Sequence, residues 1–272
     1  MDFNALADIA SKAALEAGKV IQNALYKTIG VQHKEGGSTL ASQVVTAVDV
    51  ACEKVILKHL RPTCTEYDLG ILTEETEDDK SRFSKDYFWC VDPLDGTLAF
   101  INKHPGFSVS IALVSKEGIP FIGIVLDPTS NTLYMGIKDQ GAFKNGQPWV
   151  LPEPKNSLTY VTDKTLADNP QKEQILGHIE ERLKALGLTQ FKEVSGGGAV
   201  LNALLVAEHR PALLIKPTKL ALGGGSLWDF AATVCIFSEL GLKTTSYNGN
   251  PLDLNSKTST FLNTQGVCFY SF

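Results

Sequence analysis

Apolar residues recur at helical spacing from the start of the chain. Leu6, Ile9, Ala13, Ala17, Ile21 and Leu25 fall on one face, which predicts an amphipathic helix over about residues 3–26. A polar loop, His33 to Gln43 with Gly36 and Gly37, leads to a second helical stretch at about 48–60, with Val55, Ile56 and Leu60 on its apolar side. Ile71–Thr73 reads as a short strand running into Glu74 and Glu75, and Glu77–Lys85 as a solvated surface loop.

The pattern changes at Tyr87. Tyr87–Val91 is a continuous apolar run, the signature of a strand buried on both faces, and it stops at Asp92-Pro93. Phe107–Val114, Pro120–Leu126 and Thr132–Ile137 follow as strands separated by turn residues, which predicts an antiparallel meander. An Asn145-Gly146 hairpin signal closes it. Beyond Pro152-Glu153-Pro154 strands and helices alternate: strand 158–162, helix 170–186, strand 191–194, helix at about 198–208, strand 212–215, helix 227–240. That rhythm predicts an α/β layer. The fold class is α+β, with an N-terminal part over 1–152 and a C-terminal part over 153–272.

Composition narrows the function classes. Of 272 residues, 43% are hydrophobic and 20% charged, which suits a globular protein with a real core. The net charge of -5 and the scattered Lys and Arg argue against a nucleic-acid polymer as partner. An anionic metabolite remains compatible, because bound cations can reverse the local sign. Cys52, Cys64, Cys90, Cys235 and Cys268 are odd in number and lack a CxxC spacing, which suits reduced thiols. No signal-peptide pattern and no membrane-length apolar run stands out, so the expectation is a cytoplasmic protein without a membrane partner.

Candidate chemistry concentrates in Asp92-Pro93-Leu94-Asp95-Gly96-Thr97. Two carboxylates three residues apart at a strand end repel each other unless a cation lies between them. A hard ion such as Mg²⁺ takes such oxygens, and the Leu94 carbonyl adds another. Gly96 permits close approach to a ligand, and Thr97 can cap a helix beginning at Leu98. A capped turn without a metal explains the same residue types. Locally, Glu74 and Glu75 read as well as a solvated acidic loop, and Asp229 as a helix-start acid favoured by the dipole.

Read together, the strings resemble the inositol monophosphatase superfamily. They are Val45-Thr46-Ala47-Val48-Asp49, Thr73-Glu74-Glu75, Asp92–Thr97, Phe107–Leu113, Gly141–Gly146 and Trp228-Asp229-Phe230-Ala231-Ala232, in the family's order and spacing over most of the chain. The resemblance implies a layered α-β-α-β-α sandwich and a Mg²⁺-dependent phosphoric monoester hydrolase with two or three ions per site. Glu74, Asp92, the Leu94 carbonyl, Asp95 and Asp229 would hold metal, with Asp92 bridging. Glu74 and Thr97 would activate water, Asp49 would support Thr97, and Glu75 would lie behind them. The Gly96 and Thr97 amides would hold phosphate oxygens. Lithium sensitivity and a homodimer are family traits.

The substrate is less sharply implied. Asp-Pro-Leu and the Phe107–Leu113 string are similar to the 3′(2′),5′-bisphosphate nucleotidase branch, whereas Gly198-Ala199-Val200-Leu201-Asn202 is similar to the inositol branch. The nucleotidase's Lys-Glu-Phe is replaced by Leu98-Ala99-Phe100. The acid that inositol monophosphatases carry seven residues before the tryptophan-following aspartate is replaced by Leu222, within the insert Pro217–Leu227. Gly197 and Gly198 are candidate substrate contacts, with plain helix entry as the alternative. Lys216 and Lys219, near the insert, read as solvated surface lysines, with contact to a second phosphate as the alternative. The reading is a small phosphorylated metabolite, an inositol or sugar phosphate. The alternatives are adenosine 3′,5′-bisphosphate and a non-catalytic metal-binding domain of the same fold.

Overall fold

The computed structural model describes residues 1–25, 31–33 and 44–272. Of the expected loop His33–Gln43, His33 ends a short strand and 34–43 lie outside the described residues, as does residue 26, the last of the expected first helix. In chain order the first half runs α1 (Phe3–Ala24), β1 (Val31–His33), β2 (Val44–Thr46), α2 (Ala47–Tyr67), β3 (Gly70–Thr73), β4 (Tyr87–Asp95), α3 (Thr97–Ile101), β5 (Ser108–Ser115), β6 (Pro120–Asp127), β7 (Thr132–Ile137), β8 (Gly141–Lys144) and β9 (Gln147–Pro148). The second runs β10 (Leu158–Val161), α4 (Lys172–Leu186), β11 (Phe191–Val194), α5 (Ala199–Glu208), β12 (Ala212–Lys216), α6 (Leu227–Glu239), β13 (Lys243–Thr245) and β14 (Val267–Tyr270).

Strands β3 to β9 form one sheet in sequence order, antiparallel except for the β3–β4 pair, so the meander is present. A second sheet has the order β11-β10-β12-β14-β13 and is mixed, with β14 antiparallel to both neighbours. The antiparallel pair β13 and β14 departs from the simple alternation expected of this half.

Side-chain alternation explains the layers. In β4 and β5, Trp89, Val91, Val109, Ile111 and Leu113 face α1 and α2. Phe88, Cys90, Ala112 and Val114 face the other way, onto α5 and α6. The far side of α5 and α6 packs on Val161, Leu214 and Phe269 of the second sheet. The outer face of that sheet, Leu158, Tyr160 and Leu213, is covered by Ile175 and Ile179 of α4. The order is therefore α-β-α-β-α. Glycine sets one spacing: a Cβ at Gly123 of β6 would overlap the Ala232 carbonyl of α6, so the helix lies directly on the sheet.

Two expectations change here. The charged stretch Glu77–Lys85 is not simply solvated. It contains a 3₁₀ turn, Ser81–Phe83, whose Arg82 is buried. The second helix runs on to Tyr67, past Pro62. All five cysteines are free thiols, and among the described residues no helix is long and apolar enough to cross a membrane.

Candidate active site

The parallel register of β3 and β4 delivers Glu74. Thr73 lies beside Val91, and the Glu74 N–H donates to the Val91 carbonyl at 3.1 Å. Glu74 thereby reaches Asp92, and the two carboxyls are in hydrogen-bonding contact. Two ionised carboxylates hold such a contact only with a shared proton or a cation between them.

β4 itself supplies two acids. Its ladder with β5 is regular as far as Asp92–Ser110, shifts, and resumes at Asp95–Ser108. Pro93 has no N–H for the ladder, and the Leu94 N–H turns back to Asp92 Oδ1 at 3.0 Å. The irregularity re-aims the strand end, as bulges beside active sites do. Asp229 arrives from the first turn of α6. There the Ser226 N–H donates to Asp229 Oδ2 at 2.5 Å, in a reciprocal capping box. Asp92, Asp95 and Asp229 each present an oxygen, and these oxygens lie within 4.8 Å of one another.

The electrostatics of this cluster are unfavourable without a counter-charge. Burial first, then the charges of Glu74 and Asp229, push Asp92 well above the usual carboxylate range. Burial and Asp229 raise Asp95 to about 8, against two backbone N–H donors that favour its charged form. A hard divalent cation relieves both penalties, and the donor set, buried Asp92 and Asp95 with half-buried Asp229, fits one.

Thr97 is the first residue of α3 rather than its cap. Gly96, at φ +81°, precedes it in the left-handed region, where glycine is unstrained. The Thr97 hydroxyl instead faces Asp49 Oδ1 and the Leu94 carbonyl, each at 3.1 Å. Asp49 is buried in the first turn of α2.

Gly197 and Gly198 belong to a tight seam between the two halves. The Gly198 N–H donates to the Gly106 carbonyl at 2.7 Å, and Gly106 and Gly197 both have positive φ. Asp95 closes the seam. Its oxygens accept from the N–H groups of Ala199 at 3.1 Å and Val200 at 3.0 Å, so this acid also caps α5. A Cβ on Gly198 would overlap that carboxylate.

Several groups escaped the sequence reading. Lys216 is not a solvated lysine. Its Nζ bonds Asp163 Oδ2 at 2.9 Å, with only 16% of the side chain exposed. Burial opposes its charge, but Asp163, with Asp229 and Asp95 beyond, holds the ammonium ionised. Burial lowers the pKa of the half-buried Lys219, as do Lys216 and Lys164 nearby. Leu222 is 48% exposed. Ser108 and Ser110 also serve the site: Ser110 Oγ donates to the Trp228 carbonyl at 3.0 Å, and Ser108 Oγ lies 3.4 Å from Asp95 Oδ2. Two serines at alternate positions of the otherwise apolar run Phe107–Val114 were the available signal.

The profile of the inositol monophosphatase family matches residues 2–267. Inositol monophosphatase 3 of Solanum lycopersicum is 31% identical over 252 residues, 92% of this chain and 89% of its own length. The chain belongs to the inositol monophosphatase family. Among solved structures, inositol monophosphatase from Anabaena superposes at a TM-score of 0.66 with 25% identity, covering 98% of this chain and 90% of that one. CysQ from Bacteroides thetaiotaomicron, a bacterial member of the family, superposes at 0.78 with 22% identity and covers 98% of each chain. The family fold is thus the layered sandwich described above.

Proposed function

We propose that this protein hydrolyses a small phosphate monoester, an inositol or sugar phosphate, with two or three Mg²⁺ ions held by Glu74, Asp92, the Leu94 carbonyl, Asp95 and Asp229. As a member of its family it is a phosphoric monoester hydrolase. The observation that carries the metal assignment is the convergence of Asp92, Asp95 and Asp229 from β4 and α6 on one point. Bound magnesium neutralises phosphoryl oxygens and lowers the pKa of an attacking water.

The chain's own groups do the rest. The Thr97 hydrogen is directed at Asp49 Oδ1 and the Leu94 carbonyl, so its oxygen is left to accept from a water. Asp49 fixes that orientation. Glu74 provides the carboxylate that takes the water's proton, with Glu75 behind it. Gly96 and Thr97 offer backbone amides to the phosphate. Gly197 and Gly198 line the approach to the alcohol; the Gly198 N–H is engaged by Gly106, so contact there falls to other backbone atoms.

A specific observation favours a second reading, a bisphosphate such as adenosine 3′,5′-bisphosphate. Lys219 brings a half-buried positive charge to the insert, whereas Lys216 is neutralised by Asp163, and the exposed Leu222 stands where the inositol branch has an acid. The deciding experiment is Mg²⁺-dependent phosphate release from inositol 1-phosphate, fructose 1,6-bisphosphate and adenosine 3′,5′-bisphosphate. The highest kcat/KM on the first supports the main reading, and on the last the second. Release from none, with Mg²⁺ bound, would leave a non-catalytic metal-binding domain. The same reading includes inhibition by lithium, a homodimer and a cytoplasmic location, tested by LiCl titration, light scattering and cell fractionation.

A further inference from the structure

Glu53 lies one helical turn beyond Asp49 on α2, on the same side of the helix. Its side chain is buried, at 7% exposure. Glu53 Oε1 accepts from the Thr73 hydroxyl, and Glu53 Oε2 accepts from the Thr76 hydroxyl at 3.0 Å. Thr73 Oγ1 in turn accepts the Thr76 N–H at 3.2 Å. The three residues form a closed ring of hydrogen bonds. The two residues enclosed between the threonines are Glu74 and Glu75.

From this arrangement we infer that Glu53 is a positioning residue for the reaction, setting Glu74 at a fixed place relative to Thr97. The inference rests on the proposed metal-assisted hydrolysis. Asp49 grips Thr97 from one turn of α2 and Glu53 grips the Glu74 turn from the next, so the two water-facing groups are indexed by one helical pitch, about 5.4 Å. The helix is a firm reference because Cys52, Ile56 and Leu60 are buried in the core beneath it. The charge type matters as well. A carboxylate accepts two hydroxyl donors on separate oxygens, whereas a carboxamide offers one acceptor, so one threonine hydroxyl must turn from donor to acceptor and the charge is lost.

The test uses Glu53→Gln, Thr76→Val and the double variant in the full-length protein. Mg²⁺ binding by calorimetry, kcat, KM and Tm are read for each. The expected result for Glu53→Gln is a loss of about 10- to 100-fold in kcat and a matching loss in Mg²⁺ affinity, the usual scale when a group holding a metal ligand is changed. KM for the ester should stay nearly constant. Thr76→Val should reproduce part of the loss, and the double variant should be no worse than Glu53→Gln, since both cut the same ring. Thr76 is exposed, so its variant carries the test if Glu53→Gln does not fold. Effects confined to Tm, or single effects that add in full, would overturn the inference. A wild-type protein that binds Mg²⁺ but hydrolyses no ester would refute the proposed function alone, since calorimetry on the variants still decides the role of Glu53. A wild-type protein that binds no divalent cation would sink both.

Discussion

Two loops border the candidate site, and they are fastened in different ways. The acidic turn after β3 is held by side chains at both ends. Glu53 grips Thr73 and Thr76 at its start. At its far end Arg82 donates to Asp78 Oδ2 at 2.8 Å, to Asn255 Oδ1 at 2.6 Å and to the Ser256 carbonyl at 3.0 Å. The insert before α6 is held mainly through its backbone. The Lys219 N–H donates to the Asn263 carbonyl at 2.8 Å, and the Leu262 N–H donates to the Gly225 carbonyl at 3.0 Å. Gly223, Gly224 and Gly225 all have positive φ, and Leu220 is 96% exposed. Side-chain fastening fixes where the acids stand. Backbone fastening fixes the path of the insert and leaves its side chains free to vary, which suits selection of the alcohol.

That contrast predicts unequal responses. The largest belongs to the acids: Asp95→Asn should lower phosphate release by about a thousandfold, comparable to removing a preorganised charge-stabilising group. It should leave the fold intact, because one of the two α5 N–H groups keeps its acceptor. Activity retained in this variant would remove the distinction between the loops. Next, Arg82→Ala should cost about 1–3 kcal/mol in urea unfolding, because Asn255 Oδ1 and the Ser256 carbonyl lose their guanidinium donor while Asp78 keeps Lys80. A loss below 1 kcal/mol, the scale of an exposed ion pair, would show the anchor to be weak.

A pH series sharpens the same comparison. Asp95 is raised to about 8 when folded and lies near 3.9 when unfolded. Between those values the folded state binds the extra proton, so stability falls as pH rises. Tm of chelator-treated protein should decline from pH 4 toward pH 8, and Mg²⁺ should restore it; a flat or rising Tm would count against the metal-free repulsion. The smallest effect belongs to the insert. Lys219→Ala should lower kcat/KM about fivefold on a bisphosphate, the scale of one partly exposed ion pair, and leave inositol 1-phosphate unchanged. Equal effects on both esters would deny the insert a selective role.

Much of the fold was legible because burial writes itself into periodicity. The unbroken apolar run of β4 requires cover on both faces, and the structure supplies it with helices. Asp92 and Asp95 were visible as a local anomaly at a strand end. Glu74 and Asp229 were not, because their meaning lies in contacts with residues distant in the chain, and only the ordered set of motifs joined them. Lys216 and Arg82 were misread for a related reason. A charged residue at a strand end or in a polar stretch reads as solvated until its partner is known, and Asp163 and Asn255 are remote in sequence. Thr97 was legible as a helix-start residue, but its hydroxyl is drawn to Asp49 rather than to the helix it opens.

The double duty of Asp95 has a consequence in time. Its carboxylate meets amides 104 and 105 residues further along the chain. Contacts of such separation close loops that are entropically costly and so form late. A nascent chain that has emerged only as far as the meander holds Asp92 and Asp95 but lacks Asp229 and the amides that steady Asp95. The acid cage is therefore incomplete until α5 and α6 have docked against the end of β4.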